Sequence, residues 1–122
     1  MSTTVVSVVG FESAHFLPHV PEDHKCRRVH GHSYRCEIHV TGPVDEHLGW
    51  VIDYAEIRAA FEPLRRRLDH HLLNELDGLE NPTSERIAAW IWRELAPQLP
   101  GLSRLVLHET HSSYVIYTGP ER

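Results

Sequence analysis

The sequence predicts an α+β protein: one antiparallel four-stranded sheet with two helices on one face, in the order strand, strand, helix, helix, strand, strand (ββααββ). Three observations predict it. Residues 32–41 alternate, with Tyr34, Cys36, Ile38 and Val40 on one side and Ser33, Arg35, Glu37 and His39 on the other, the period of a half-buried strand. Ile57, Phe61, Leu64 and Leu68, and later Ile87, Trp90, Ile91 and Leu95, recur at helical spacing. Residues 104–110 and 113–118 read as strands so close in sequence that an antiparallel hairpin is the simplest connection.

Each element has local support. Residues 4–14 are rich in Val, run through Phe11 to Ala14 and read as the first strand. Thr41-Gly42-Pro43 ends the second. Asp53 is an N-cap for the first helix, with Glu56 three residues on as in a capping box. Pro63 interrupts that helix, so a kink or a new turn is expected there. Asn81-Pro82-Thr83-Ser84-Glu85 is a turn leading into the second helix, which Pro97 and Pro100 end. Arg65-Arg66-Arg67 reads as a solvated helix face, and Cys36 as a small core residue.

The 122 residues, 41% hydrophobic and 24% charged, are sized for one folded domain over 1–122. Twelve Lys and Arg against seventeen Asp and Glu leave a net charge of −5, a poor balance for binding nucleic acid. No apolar run approaches the roughly 20 residues of a membrane span, so no membrane partner is expected. The N-terminus lacks the basic and apolar regions of a secretion signal, and two cysteines cannot build a disulfide framework, so the expected location is cytoplasmic. A four-stranded sheet with two open edges is a liability for a monomer, so a homo-oligomer is expected.

Eleven histidines direct attention to their neighbours. In His30-Gly31-His32 the two imidazoles point to the same side of an extended chain, and glycine between them leaves room for an ion. His15, at the end of the first strand, is a third ligand candidate, and three histidines without a fourth protein ligand is the pattern of a catalytic zinc. Scattered surface histidines are the alternative. Cys26 lies among His24, Lys25, Arg27 and Arg28, whose charges would favour a thiolate or hold the phosphates of an anionic substrate. A solvated basic loop is the alternative here. Asp69-His70 is either an acid–base pair or a histidine meeting a helix dipole. Glu109 shares a face with Leu105 and Leu107 by alternation, and a carboxylate there could bind an N–C–NH₂ edge through two parallel hydrogen bonds; the alternative is that the strand has ended and Glu109 is solvated.

Taken together and in this order, Phe11-x-x-Ala14-His15, Cys26-x-x-x-His30-Gly31-His32, Leu68-Asp69-His70-His71, Asn81-Pro82-Thr83-Ser84-Glu85 and Glu109-Thr110 resemble the 6-pyruvoyl-tetrahydropterin synthase family. The short Cys-x-x-x-His-Gly-His spacing is similar to its bacterial branch, the carboxy-tetrahydropterin synthases of the queuosine (7-deazaguanine) pathway. Leu17-Pro18-His19-Val20-Pro21 and Gly49-Trp50-Val51-Ile52-Asp53 extend the similarity over nearly the whole chain. The resemblance implies a tunnelling fold, in which subunit sheets join into a barrel, and a hexamer of two trimers with interfacial active sites. It implies a carbon–carbon lyase acting on 7,8-dihydroneopterin triphosphate. It implies one Zn²⁺ per subunit on His15, His30 and His32, Cys26 as catalytic base, Asp69 and His70 as its relay, and Glu109 as both pterin anchor and relay member. Thr83 and Ser84 fall where the family forms further pterin contacts, and Lys25, Arg27, Arg28 or His24 are candidates for the triphosphate. The chain departs from the branch's Lys-Glu-Thr-Cys-Thr-Ala-Gly pattern, having His108-Glu109-Thr110-His111-Ser112-Ser113-Tyr114 instead. The competing readings are a pyruvoyl-tetrahydropterin synthase, which would keep the three-carbon side chain, a silent pterin-binding protein and a metal-buffering protein.

Overall fold

β1 (Thr3–His15) and β2 (His30–Gly42) pair antiparallel over their full length, with His15 directly opposite His30 and Ser13 opposite His32. The computed structural model, which describes residues 2–121, continues with α1 (Tyr54–Leu68), α2 (Ser84–Leu95), β3 (Leu102–His108) and β4 (Tyr114–Tyr117). The sheet order is β1-β2-β3-β4, antiparallel throughout. Both paired strands at the N-terminal end are longer than the sequence pattern marks, because His30, Gly31 and His32 join the ladder.

The alternation along β2 sorts the residues as expected. Tyr34, Cys36, Ile38 and Val40 are buried, and α1 covers β1 while α2 covers β3 and β4. Phe11 stacks on Tyr34 with ring centroids 4.9 Å apart, and Phe61 of α1 closes over Phe11 at 6.2 Å. Burial pushes the Cys36 thiol up to about 12, as suits an inert core residue. Asp53 caps α1 by accepting from the Ala55 amide at 2.9 Å. α1 continues through Pro63 rather than restarting there, because Ile57, Phe61, Leu64 and Leu68 bury one continuous stripe across it. Arg67 is not simply solvated: it pairs with Glu94 and lies 4.7 Å over the Trp90 ring, tying α1 to α2.

The other face of the sheet is open. Val6, Val8 and Ile116 stand 38%, 47% and 56% exposed on it, so this face and the β1 and β4 edges are the surfaces an assembly would cover. The end of β1 is already protected. The Ala14 amide donates to the His71 carbonyl, Leu72 bridges Ala14 in parallel, and the Asn74 amide group brackets Phe16 by accepting from its N–H at 3.0 Å and donating to its carbonyl at 2.8 Å. Among the described residues, no helix is long and apolar enough to cross a membrane.

The sequence places Glu109 inside the third strand, but β3 stops at His108. There the chain turns: the Glu109 and Thr110 amides both donate to the Ser113 carbonyl, and the Ser113 amide donates to the Thr110 hydroxyl. Side-chain hydroxyls that bond to local backbone end a ladder in a way alternation does not register.

Candidate active site

His15, His30 and His32 all project from the core face, at the end of the β1–β2 pair, because antiparallel partners share a face and residues two apart on a strand do too. Each offers a ring nitrogen, and the three nitrogens lie within 4.8 Å of one another. Second contacts fix two of the tautomers. His15 Nδ1 donates to the Pro82 carbonyl at 2.8 Å and His30 Nδ1 to the Arg28 carbonyl at 2.7 Å, which turns both Nε2 lone pairs toward the shared space. The Nε2 atoms of His15 and His32 are buried without any hydrogen-bond partner. Orphaned buried nitrogens are costly unless something binds them, and a soft divalent cation fits this donor set. Burial lowers the pKa of both His15 and His32, with His30 adding repulsion, so the neutral, ligand-competent imidazoles are favoured. Gly31 does not make the room between the imidazoles. A side chain there would point to the opposite face, toward the Ser13 carbonyl, so the glycine opens the far side of the hairpin instead.

A cavity of about 460 Å³ beside the centre is lined by Lys25, Cys26, His30, His32, Glu109 and Thr110. Cys26 is half-buried in a 3-10 turn, Lys25–Arg27, which His24 caps by accepting the Cys26 amide on Nδ1 at 3.0 Å. The Cys26 carbonyl accepts from the Leu17 amide, anchoring the turn to the chain leaving β1. Glu109, though past the strand, still faces the centre: its Oε1 is 3.7 Å from His32 Nε2 and its Oε2 accepts from the Ser84 hydroxyl at 2.8 Å. Tyr34 forms the floor, buried against His15, with its hydroxyl pKa raised by burial first and by Glu109 second.

The remaining sequence candidates are placed as follows. Of the loop cations, Lys25 lines the cavity, while Arg27 donates to the Val20 carbonyl at 2.9 Å and Arg28 is exposed. Thr83 is the N-cap of α2, accepting from the Arg86 amide at 3.2 Å. Asp69 divides its carboxylate between the Glu12 amide and His70 Nδ1, each at 2.8 Å, and lies 3.5 Å from Arg65. Those contacts, the Glu12 amide foremost, hold its pKa below the usual carboxylate range. His70 has a positive φ of 59° and its side chain is 79% exposed, in a second depression of about 530 Å³ with Glu12, Ser33 and His71. His32 and Gly31 also border that depression but Cys26 does not, so one copy of the chain does not bring His70 and Cys26 into the same cavity.

Sequence reasoning missed one cluster. On the open face Glu37 meets His39 Nε2 at 3.0 Å and His108 Nε2 at 3.3 Å, and the His108 ring packs 4.6 Å from Tyr114. His39 follows from i, i+2 spacing on β2, whereas His108 requires the β2–β3 register.

A ββααββ sheet carrying a three-histidine centre, with a thiol and a carboxylate beside it, defines a class of small α+β proteins with the site at the end of the core face. The chain belongs to the 6-pyruvoyl tetrahydropterin synthase family, whose profile matches residues 4–120. It is 42% identical over 117 residues to the 6-carboxy-5,6,7,8-tetrahydropterin synthase of Synechocystis, covering 91% of this chain and 89% of that protein. It is 30% identical over 112 residues to the dihydroneopterin monophosphate aldolase of Pyrococcus furiosus, covering 89% and 91%. The structure of Caenorhabditis elegans 6-pyruvoyl tetrahydropterin synthase superposes with a TM-score of 0.90 over 98% of this chain and 97% of that one, at 24% identity, a likeness of fold.

Proposed function

We propose that this chain is a zinc-dependent 6-carboxy-5,6,7,8-tetrahydropterin synthase, a carbon–carbon lyase of 7-deazaguanine biosynthesis built as a single domain. It would convert 7,8-dihydroneopterin triphosphate to 6-carboxy-5,6,7,8-tetrahydropterin, releasing acetaldehyde and triphosphate. The observation that carries this reading is the pair of orphaned imidazole nitrogens, on His15 and His32, in a three-histidine cluster whose His30 and His32 line the cavity that Cys26 and Glu109 share. Identity to the Synechocystis enzyme supports the choice of reaction within the family.

His15, His30 and His32 would hold the metal, which supplies Lewis-acid polarisation of the substrate's side-chain oxygens and so eases proton removal from the neighbouring carbon. Cys26 Sγ takes that proton. Glu109 accepts two N–H bonds from the amino-pyrimidine edge, which fixes the ring relative to the thiol and accounts for a carboxylate kept beside an otherwise cationic and imidazole-lined cavity. Lys25 faces the same cavity and is the loop cation best placed to meet the triphosphate. His70 returns protons, with Asp69 fixing its Nδ1–H and leaving Nε2 to the reacting group. A relay joining His70 to Cys26 requires two copies of the chain, since each copy holds them in separate depressions. That requirement, with the open sheet edges, supports a homo-oligomer, a hexamer of two trimers, with interfacial sites in the cytoplasm.

The test is mass spectrometry of the products formed by zinc-loaded protein from 7,8-dihydroneopterin triphosphate, beside Cys26→Ala. Carboxy-tetrahydropterin and acetaldehyde, absent with Cys26→Ala, are expected. A product retaining the three-carbon side chain would move the chain to the pyruvoyl activity. No turnover with pterin still bound would overturn the enzyme reading.

A further inference from the structure

The turn entering α2 holds two parts of the site at once. The Pro82 carbonyl accepts a hydrogen bond from His15 Nδ1–H, and Ser84, two residues on and the first residue of α2, donates its one hydroxyl hydrogen bond to Glu109 Oε2. The other carboxylate oxygen is left 3.7 Å from His32 Nε2, too far for a hydrogen bond and close enough that a modest rotation would carry it into the space the three imidazoles share. A carboxylate entering that space would complete a four-ligand set and turn an open centre into a closed one.

We propose that Ser84 is a positioning residue that restrains the Glu109 carboxylate, so that it stays beside the three-histidine centre as a substrate acceptor and does not become its fourth ligand. The inference rests on the metal-centre reading above. It gives Ser84 a different role from direct pterin contact, because its donor is committed to Glu109. Three features favour it. The hydroxyl sits on the first residue of α2, directly after the Thr83 cap that accepts from the Arg86 amide, so its backbone is set by a capped helix start. The bond, at 2.8 Å, has ordinary hydroxyl-to-carboxylate length, so the hydroxyl is engaged. Glu109 itself stands on a five-residue turn rather than in the sheet, so its own backbone constrains it less than a strand position would.

The experiment is a Co²⁺ titration of the purified 122-residue chain, in whatever assembly it forms, without substrate, read by chelator competition and by the visible d–d absorption of the ion. Ser84→Ala is expected to bind Co²⁺ about tenfold more tightly than the parent, the low end of what contacts to metal ligands are worth, with an altered d–d band. Ser84→Thr, which keeps the hydroxyl, is expected to match the parent, and Ser84→Ala combined with Glu109→Gln to lose the gain. Parent-like affinity and spectrum in Ser84→Ala overturn the inference alone. So does a gain that survives Glu109→Gln, or a Ser84→Thr protein that behaves like Ser84→Ala. Failure of the parent protein itself to bind Co²⁺ overturns the metal-centre reading along with it. Circular dichroism of each variant, reporting α2, separates these results from loss of fold.

Discussion

Replacing His15 by alanine tests the centre most directly. The ring is 1% exposed, its Nδ1–H is the donor to Pro82, and its Nε2 has no protein partner. Without metal, the substitution leaves the Pro82 carbonyl unpaired and a void under the sheet end, which together cost about 2–4 kcal/mol. The metal adds a separate quantity. At free zinc of about 100 times Kd, binding stabilises the native state by about 2.7 kcal/mol. For a chain of this length, at about 3–4 °C per kcal/mol, that raises Tm by about 8–11 °C. His15→Ala removes one of three ligands, so the zinc-dependent rise should vanish while the lower metal-free Tm remains. Calorimetry at one protein concentration, with and without zinc, measures both. His47→Ala, at an exposed position away from the centre, should leave both values unchanged. A His15→Ala protein with the parental zinc shift would refute the reasoning and favour binding by scattered histidines.

Other substitutions carry equally definite expectations. Asp69→Asn keeps an acceptor for the Glu12 amide but sets an NH₂ group against His70 Nδ1–H, so turnover should fall about 10²–10⁴-fold with the circular dichroism retained. Unchanged turnover would remove Asp69 from the relay. His39 first, and His108 with it, holds the Glu37 carboxyl below its usual pKa; the native state therefore binds this proton less readily than the unfolded chain does. Stability from Glu37 is thus complete above about pH 4.3, the unfolded value, and is lost as pH falls through the lower native one. Urea midpoints of the parent and Glu37→Gln should differ at pH 7 and converge below about pH 4, and a gap that widens there would reverse the sign. Phe61→Ala removes a 1%-exposed ring packed over Phe11 and should cost about 3–5 kcal/mol in urea unfolding; less than about 1 kcal/mol would mean the core there collapses around the void.

The strands and helices were legible because burial imposes a period, and Tyr34, Cys36, Ile38 and Val40 display it without interruption. The histidines were legible for a related reason: once 30–32 is extended, His30 and His32 must share a side. What the sequence does not display is set by partners distant in the chain. The Pro82 carbonyl that fixes His15 lies 67 residues away, and the Glu37–His108 contact spans 71. The end of β3 was misplaced because the Thr110 hydroxyl and Ser113 carbonyl close a turn that hydrophobic alternation does not encode. The contact Ser84 makes with Glu109 was invisible for the same reason, although both residues were singled out. The separation of Cys26 from His70 could not be read either, since periodicity says nothing of which cavity a loop side chain enters.

The pairing of His15 with His30 across two neighbouring strands has a consequence for how the hairpin is proofread. The loop from 16 to 29 is too long to dictate alignment as a tight turn would. If β2 slid by one residue against β1, its side chains would exchange faces, and the imidazoles of His30 and His32 would leave the side on which His15 stands. An ion that needs all three nitrogens would not bind a hairpin slipped in this way and would favour the native alignment over it. With an ion bound there, its binding energy would be added to the native alignment, and the centre would act as an alignment pin for the longest strand pair in the molecule.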